Sequence, residues 1–364
     1  MEYTLPRNGS IFFHSNVSEG DEWQQLVKGT LQVGINPDTK IHDTVFSFGL
    51  SYANEVSLKQ VSVCLVDIGG SRGIRIVMPG DVTQVHPVIF DMKVLLPYHS
   101  GSPASFGEFR TYLPLVTQKL GDLDAFARFD RVYLEGPLSP VTVDSIQASK
   151  LTIKTSMAEI SGSFNVSEFL DLDTTSAAVK ANVLLANDRS SDFQRMTRMQ
   201  ISTGNSAIDA NVTLLAHGGH TGDFPPDFDV SFATFNGDLS VSLGHHSLSR
   251  PSHLKAKMQN NLAPVNVTLD DLYQGTFDSQ TKFATAHVLE GSTTLRTPFR
   301  VEAAVNGRAT RAPRILYEYD HYVTSRIIGW TGWEKRARGR GQGHVEVVSS
   351  LSPVTLRLGH HNTT

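Results

Sequence analysis

An apolar couple followed, seven residues after its second member, by the start of another apolar run recurs along this chain. Val132 and Leu134 lead to Val141, Leu151 and Ile153 to Ile160, and Leu170 and Leu172 to Val179. Ile201 leads to Ile208, Val230 and Phe232 to Leu239, Met258 to Val265, and Val345 and Val347 to Val354. The residues between are small, polar or turn-forming: Thr155-Ser156, Thr174-Thr175-Ser176, Asn205-Ser206, Asn236-Gly237-Asp238, Asn260-Asn261 and Ser349-Ser350. On either side the apolar residues alternate, as in Val265-Asn266-Val267-Thr268-Leu269, which is the period of a strand with one face inward. The unit is strand, corner, strand.

Two short strands and a polar corner cannot enclose a core. Stacked copies can, by pairing their backbones in parallel and burying a continuous apolar column. The expected fold is therefore all-β: a parallel β-solenoid, β-helix-like, with a β-rich N-terminal cap and one large inserted hairpin region. Pro140, Pro264 and Pro353 sit just before the second strand, where a missing donor harms the ladder least. A two-sheet sandwich also has short alternating strands, but it does not demand one interval and one corner composition repeatedly.

Residues 1–28 are polar and without period, and read as a tail or a segment lying on the next element. Residues 29–127 carry alternating runs such as Val45-Phe46-Ser47-Phe48 and Val61-Ser62-Val63-Cys64-Leu65, without the clean step, and read as the cap. Within them, Leu113 to Phe126 is the single helix candidate, through Val116, Leu120 and Leu123. Residues 128–364 are the repeats. Extra residues follow the second strand of a unit, at Asn187 to Gln194, His217 to Asp227, Gly244 to Ser252 and 270–342, so they project from one edge, a natural binding surface. In the last insertion, Gly275 to Ser279 with Ala286 and Val288 resembles a degenerate eighth unit, and Arg314 to Tyr319 with Val323 to Trp330 reads as an aromatic hairpin folding onto the repeats.

Composition bounds the function. Net charge is -4 with 19% charged residues, so nucleic-acid binding is not expected. The single Cys64, between Val63 and Leu65, excludes a disulfide framework and multi-cysteine metal sites and is expected to be a buried thiol. No apolar run reaches membrane-spanning length and Met1-Glu2-Tyr3-Thr4 is not an export signal. The chain as written reads as soluble, its compartment open. Six Asn-x-Ser/Thr sequons exceed the roughly two or three expected by chance; Asn165, Asn211 and Asn266, near repeat strands, are the candidate glycosylation sites.

Chemistry-bearing groups are sparse. The pairs His245-His246 and His360-His361, and His217 with His220, follow repeat strands, but neighbours on a strand point to opposite faces and bring no shared metal set, so they are read as exposed loop histidines. Asp171 and Asp173 share an outward face and Asp270-Asp271 are adjacent; both pairs are read as solvated acids, and the signatures of pectin-degrading β-helices are not assembled around them. Lys335, Arg336, Arg338 and Arg340, beside Trp330 and Trp333, form a candidate polyanion-binding loop. No catalytic, cofactor-binding or metal residue is assigned, and no cofactor is expected.

The segments Asn260-Asn261-Leu262-Ala263-Pro264-Val265-Asn266-Val267 and Ser349-Ser350-Leu351-Ser352-Pro353-Val354, with Ala178-Val179 and Ser206-Ala207-Ile208, resemble the Thr-Ser-Asn-x-Pro-Val repeats of basidiomycete fungal adhesin-like proteins of unknown function. The similarity runs from about Gly29 to Leu358. It implies a right-handed parallel β-solenoid and, in many relatives, an anchoring helix ahead of it; none precedes residue 29 here. Several corners lack the family's Asn, as at Ser139 and Ser352. The function expected on this basis is a non-enzymatic structural or adhesion-like module at a cell surface or wall, with polysaccharide or another protein as partner. The alternatives are a polysaccharide-lyase or glycosidase-like enzyme and a soluble interaction scaffold using the basic loop.

Overall fold

The computed structural model describes residues 2–5, 9–16, 27–52, 55–59, 61–77, 88–99, 101–188, 196–217, 227–249, 252–291, 315–333 and 343–359. They form an all-β chain of mostly parallel strand pairs, with one five-residue helix, Glu55–Lys59, among them. Two compact units result, Met1–Asn182 and Val183–Thr364.

The N-terminal unit holds two parallel ladders. One pairs Ser71–Val77, Ser10–Asn16, Ala104–Tyr112 and Ala127–Glu135 in that order, then the later part of Val141–Lys154 and of Ile160–Thr174. The other pairs Val88–Leu96, Val27–Ile35, Val116–Asp122 and the first parts of the same two long strands. Alternation fixes the register, because slipping one residue would turn every inward side chain outward. Val132, Leu151 and Leu170 thus become direct neighbours, as do Val141 and Ile160, all of them at most 2% exposed. Phe106 stacks on Phe129 at 5.2 Å, which itself meets Phe109 edge-on. Antiparallel strands Thr44–Ser51 and Ser62–Ile68 cover the outer members, Val88–Leu96 and Ser71–Val77, protecting edges that would otherwise offer unpaired backbone.

Several expectations change in this unit. Residues 1–28 are not a tail throughout: Glu2–Leu5 and Ser10–Asn16 are strands, and Ile11 and Phe13 are 2% and 1% exposed. Three apolar residues in a polar stretch suffice because both neighbouring strands supply the rest of the ladder. Position 128 lies inside the continuous pairing of Ala127–Glu135 with Ala104–Tyr112, so the cap and the repeats share one unit up to Asn182. Leu113 to Phe126 is not helical; it contains the strand Val116–Asp122. An offset of four satisfies both periods, so Val116 and Leu120 suit helix or strand, and parallel partners on both sides decide for strand. Cys64 is exposed, because Ser62–Ile68 is a hairpin arm whose burial does not alternate.

The C-terminal unit repeats the plan. Thr197–Thr203, Phe228–Thr234 and Leu254–Gln259 pair in parallel, as do Ile208–His217, Leu239–His245 and Val265–Leu269. Ile208, Leu239, Val265 and Val354 stand in register as buried neighbours. The stacking order then departs from chain order: Gly343–Ser349 and Val354–Leu358 lie between Leu254–Gln259/Val265–Leu269 on one side and Gly275–Thr281/Ala286–Glu290 on the other. Arg326–Gly332 pairs antiparallel with Gly275–Thr281 and with Leu316–Val323, so the aromatic hairpin closes the ladder.

Corners stack as closely as strands. A Cβ on Gly237 would lie 1.8 Å from the Ser206 carbonyl oxygen, so only glycine lets the corners meet. Asn260, wholly buried, donates from Nδ2 to the Gly237 carbonyl at 2.7 Å and accepts at Oδ1 from the Leu262 and Ala263 amides at 3.2 and 3.4 Å. Asn260→Ala strips three partners at once and should destabilise the C-terminal unit by about 2 kcal/mol. Urea unfolding followed by fluorescence of Trp330, buried in the same unit, measures this; an unchanged midpoint would show that the corner does not depend on the side chain.

Candidate functional site

Outward side chains of the first ladder in the N-terminal unit fall into two rows. One runs Arg75, His14, Tyr112, Glu135, Lys154, Asp173; the other runs Gly73, Phe12, Arg110, Tyr133, Thr152, Asp171. Each step is one strand spacing, about 4.8 Å. The same alternation that sends Val132 and Leu134 inward sends Tyr133 and Glu135 out. Gly73 is required by its neighbour, since a Cβ there would come within 2.0 Å of the Phe12 carbonyl oxygen.

At the Arg75 end the rows border a groove of about 380 Å³, walled on one side by Ile68 and Ser71 of the covering hairpin. His14 stacks on Tyr112, centroids 5.1 Å apart, and Arg110 lies 5.1 Å over the Tyr133 ring. The Tyr133 hydroxyl donates to Glu135 Oε2 at 2.8 Å; burial and this bond push the phenol up to about 12. Burial, then the Arg75 and Arg110 charges, hold the His14 imidazole below its usual range, with Glu135 opposing. The groove around His14 thus holds two arginines, Arg75 and Arg110, and two carboxylates, Glu108 and Glu135. His14 Nδ1 and Arg75 Nε are buried with no hydrogen-bond partner among the described residues.

The other end is acidic. Asp171 and Asp173 do share the outward face, half-buried rather than freely solvated. Burial raises the Asp171 carboxyl above its ordinary 3.8, Asp173 adds to this, and Lys154 opposes it. A carboxyl whose folded value lies above its unfolded one supports the fold fully below the unfolded value and loses that contribution as pH rises through the folded value. Asp171→Asn should therefore raise the melting temperature at pH 7, with the gain vanishing toward pH 3. A gain independent of pH would mean that ionisation is not the cause.

In the C-terminal unit, the side chains of Asp270 and His245 are buried rather than solvated or exposed in a loop. Their side chains are 6% and 1% exposed. Asp270 Oδ2 accepts the His245 backbone N–H at 2.6 Å and Oδ1 meets ring Nδ1 at 3.0 Å, while Nε2 lies 2.9 Å from Ser252 Oγ. The imidazole thus bridges the carboxylate and the serine, one ring nitrogen facing each. The order serine, histidine, aspartate matches a proton relay, but Ser252 is only 6% exposed, so the chain of bonds pins the insertion. Asp270→Ala should cost about 2–3 kcal/mol by orphaning the His245 donors, read by urea unfolding at Trp330; a neutral result would exclude a pinning role. Asp271 is also buried, at 3%.

Asn165, Asn211 and Asn266 are half-exposed on strands, and Asn165 Nδ2 donates to Asp124 Oδ1 at 3.2 Å. His246 Nδ1 accepts the Leu248 amide at 3.1 Å. Lys335, Arg336, Arg338 and Arg340, with His360 and His361, lie outside the described residues. Among the described residues no three His, Cys, Asp or Glu side chains are grouped to hold a metal ion, and no helix is long and apolar enough to cross a membrane. The aromatic and cationic part of the rows escaped sequence reasoning. Its signal was present as outward couples interleaved with the apolar ones: Phe12-x-His14, Arg110-x-Tyr112, Tyr133-x-Glu135, Thr152-x-Lys154 and Asp171-x-Asp173.

No family model matches the chain, and no curated protein matches it. Among solved structures it aligns with the crystal structure of a "putative cell adhesion protein" from Clostridium sporogenes, over 98% of both chains, at 6% identity and a TM-score of 0.19. Similarity at that level establishes neither a common fold nor a common activity.

Proposed function

We propose that the chain is a non-enzymatic, adhesion-like module of the cell surface or wall, wound as a parallel β-solenoid, whose outer face in the N-terminal unit recognises polysaccharide. The in-register ladders and the stacked corners support the solenoid reading. One observation carries the recognition reading: strand pairing sets Arg75, His14, Tyr112, Glu135, Lys154 and Asp173 side by side, with Phe12, Arg110, Tyr133 and Asp171 alongside. Aromatic faces receive the apolar side of a sugar ring, and fixed donors and acceptors receive its hydroxyls. A row at strand spacing suits a polymer laid across the strands.

Titration of the purified chain with soluble cell-wall polysaccharides should give saturable binding. Tyr112→Ala and Tyr133→Ala should each weaken it by roughly tenfold, the equivalent of one good contact. Binding indifferent to both substitutions would reject this face.

The raised Asp171 carboxyl beside Asp173 favours a second reading, a glycosidase- or lyase-like enzyme with Asp171 as proton donor. Turnover of polygalacturonate, lost in Asp171→Ala, would replace the non-enzymatic reading.

A further inference from the structure

We infer that the groove at the Arg75 end of the rows is a subsite for an acidic sugar, whose carboxylate or sulfate is taken by Arg75, Arg110 and His14 while its hydroxyls donate to Glu135. This rests on the polysaccharide-recognition reading and specifies the ligand within it.

Three observations converge there. First, neither groove arginine is paired with a carboxylate along the rows, although Glu108 and Glu135 both line the groove: along its row Arg75 has Cys64 on one side and His14 on the other, and Arg110 lies over a ring face. Second, Arg75 Nε and His14 Nδ1 are buried and unpartnered among the described residues, a cost that an incoming acceptor would relieve once the side chains adjust. Third, the nearest carboxylate in the rows, Glu135, is already oriented by the Tyr133 hydroxyl at 2.8 Å. That bond fixes where the carboxylate sits, leaving its other oxygen to accept from a ligand hydroxyl.

The sign pattern selects among polyanions. Nucleic acid presents a charge every ~1.7 Å of duplex axis and would meet Glu135, Asp171 and Asp173 as repulsion along the same face. An acidic polysaccharide spaces its charges by whole sugar rings and offers hydroxyl donors between them. Cations alternating with carboxylates and aromatic rings complement that pattern, and a planar guanidinium fork suits a carboxylate or sulfate edge.

The test uses the full chain and isothermal titration with polygalacturonate, dextran sulfate, neutral galactan and single-stranded DNA. Expected is tighter binding of an acidic polymer than of galactan, weakening with salt, and an affinity roughly tenfold to a hundredfold lower in Arg110→Gln and in Arg75→Gln. Polygalacturonate and dextran sulfate separate a carboxylate from a sulfate source; a preference for either supports the inference. Lys257→Gln, in the C-terminal unit, removes an equal charge elsewhere and should change nothing. Arg110 is exposed, so its substitution keeps the test open if Arg75→Gln fails to fold. Equal binding of galactan and acidic polymers, unaffected by the arginine substitutions, overturns the acidic subsite and leaves polysaccharide recognition standing. Binding of no saccharide overturns both, and DNA bound as tightly as the acidic polymers overturns the ligand assignment.

Discussion

Parallel register is the constraint on which everything else depends. Inward residues pack on the residues beside them in the neighbouring strands, so Val132, Leu151 and Leu170 specify one another, as do Ile208, Leu239, Val265 and Val354. Because side chains alternate, this interior agreement dictates the exterior as well. The rows of Tyr112, Tyr133, Glu135 and their neighbours are the necessary counterpart of the aliphatic columns. A surface built this way is periodic and firmly backed, and its chemistry can vary from strand to strand without disturbing the core.

How much was legible follows from the same argument. The aliphatic couples and polar corners are local signals, and they announce strand, corner and stacking directly; Asn260 and Gly237 even mark where corners touch. The step is loosest in residues 29–127, and there pairing rather than periodicity decides, as Val116 and Leu120 show by fitting two periods equally. Cys64 lies on a hairpin arm that, among the described residues, pairs on one side only, so apolar flanks did not guarantee burial. His245 and Asp270 are 25 residues apart in the chain and meet because adjacent strands end together. Their pairing is a matter of register between strands, which composition does not display. The groove around His14 and Arg75 depends on Ser10–Asn16 being placed beside strands more than fifty residues later in the chain, a long-range placement with no local signature.

The two units share a manner of presenting function on a β framework. Polar work is done either outward, on the rows of the N-terminal unit, or at strand ends, where Asp270, His245 and Ser252 hold an insertion down. In the first case groups stay half-exposed and charged toward solvent. In the second they are sealed and committed to one another. The Asp270, His245 and Ser252 set is thus enclosed, while the mixture of arginine, histidine and tyrosine on the rows faces outward.

The out-of-order stacking in the C-terminal unit bears on how the molecule comes into being. Gly343–Ser349 and Val354–Leu358 are a keystone: the last-translated described strands fill the slot between segments made some sixty residues or more before. Until they leave the ribosome, Leu254–Gln259 and Gly275–Thr281 each wait with an unpaired flank and an open apolar seam. Loss of these two strands would therefore not fray this unit from its rim. It would open a gap through the middle.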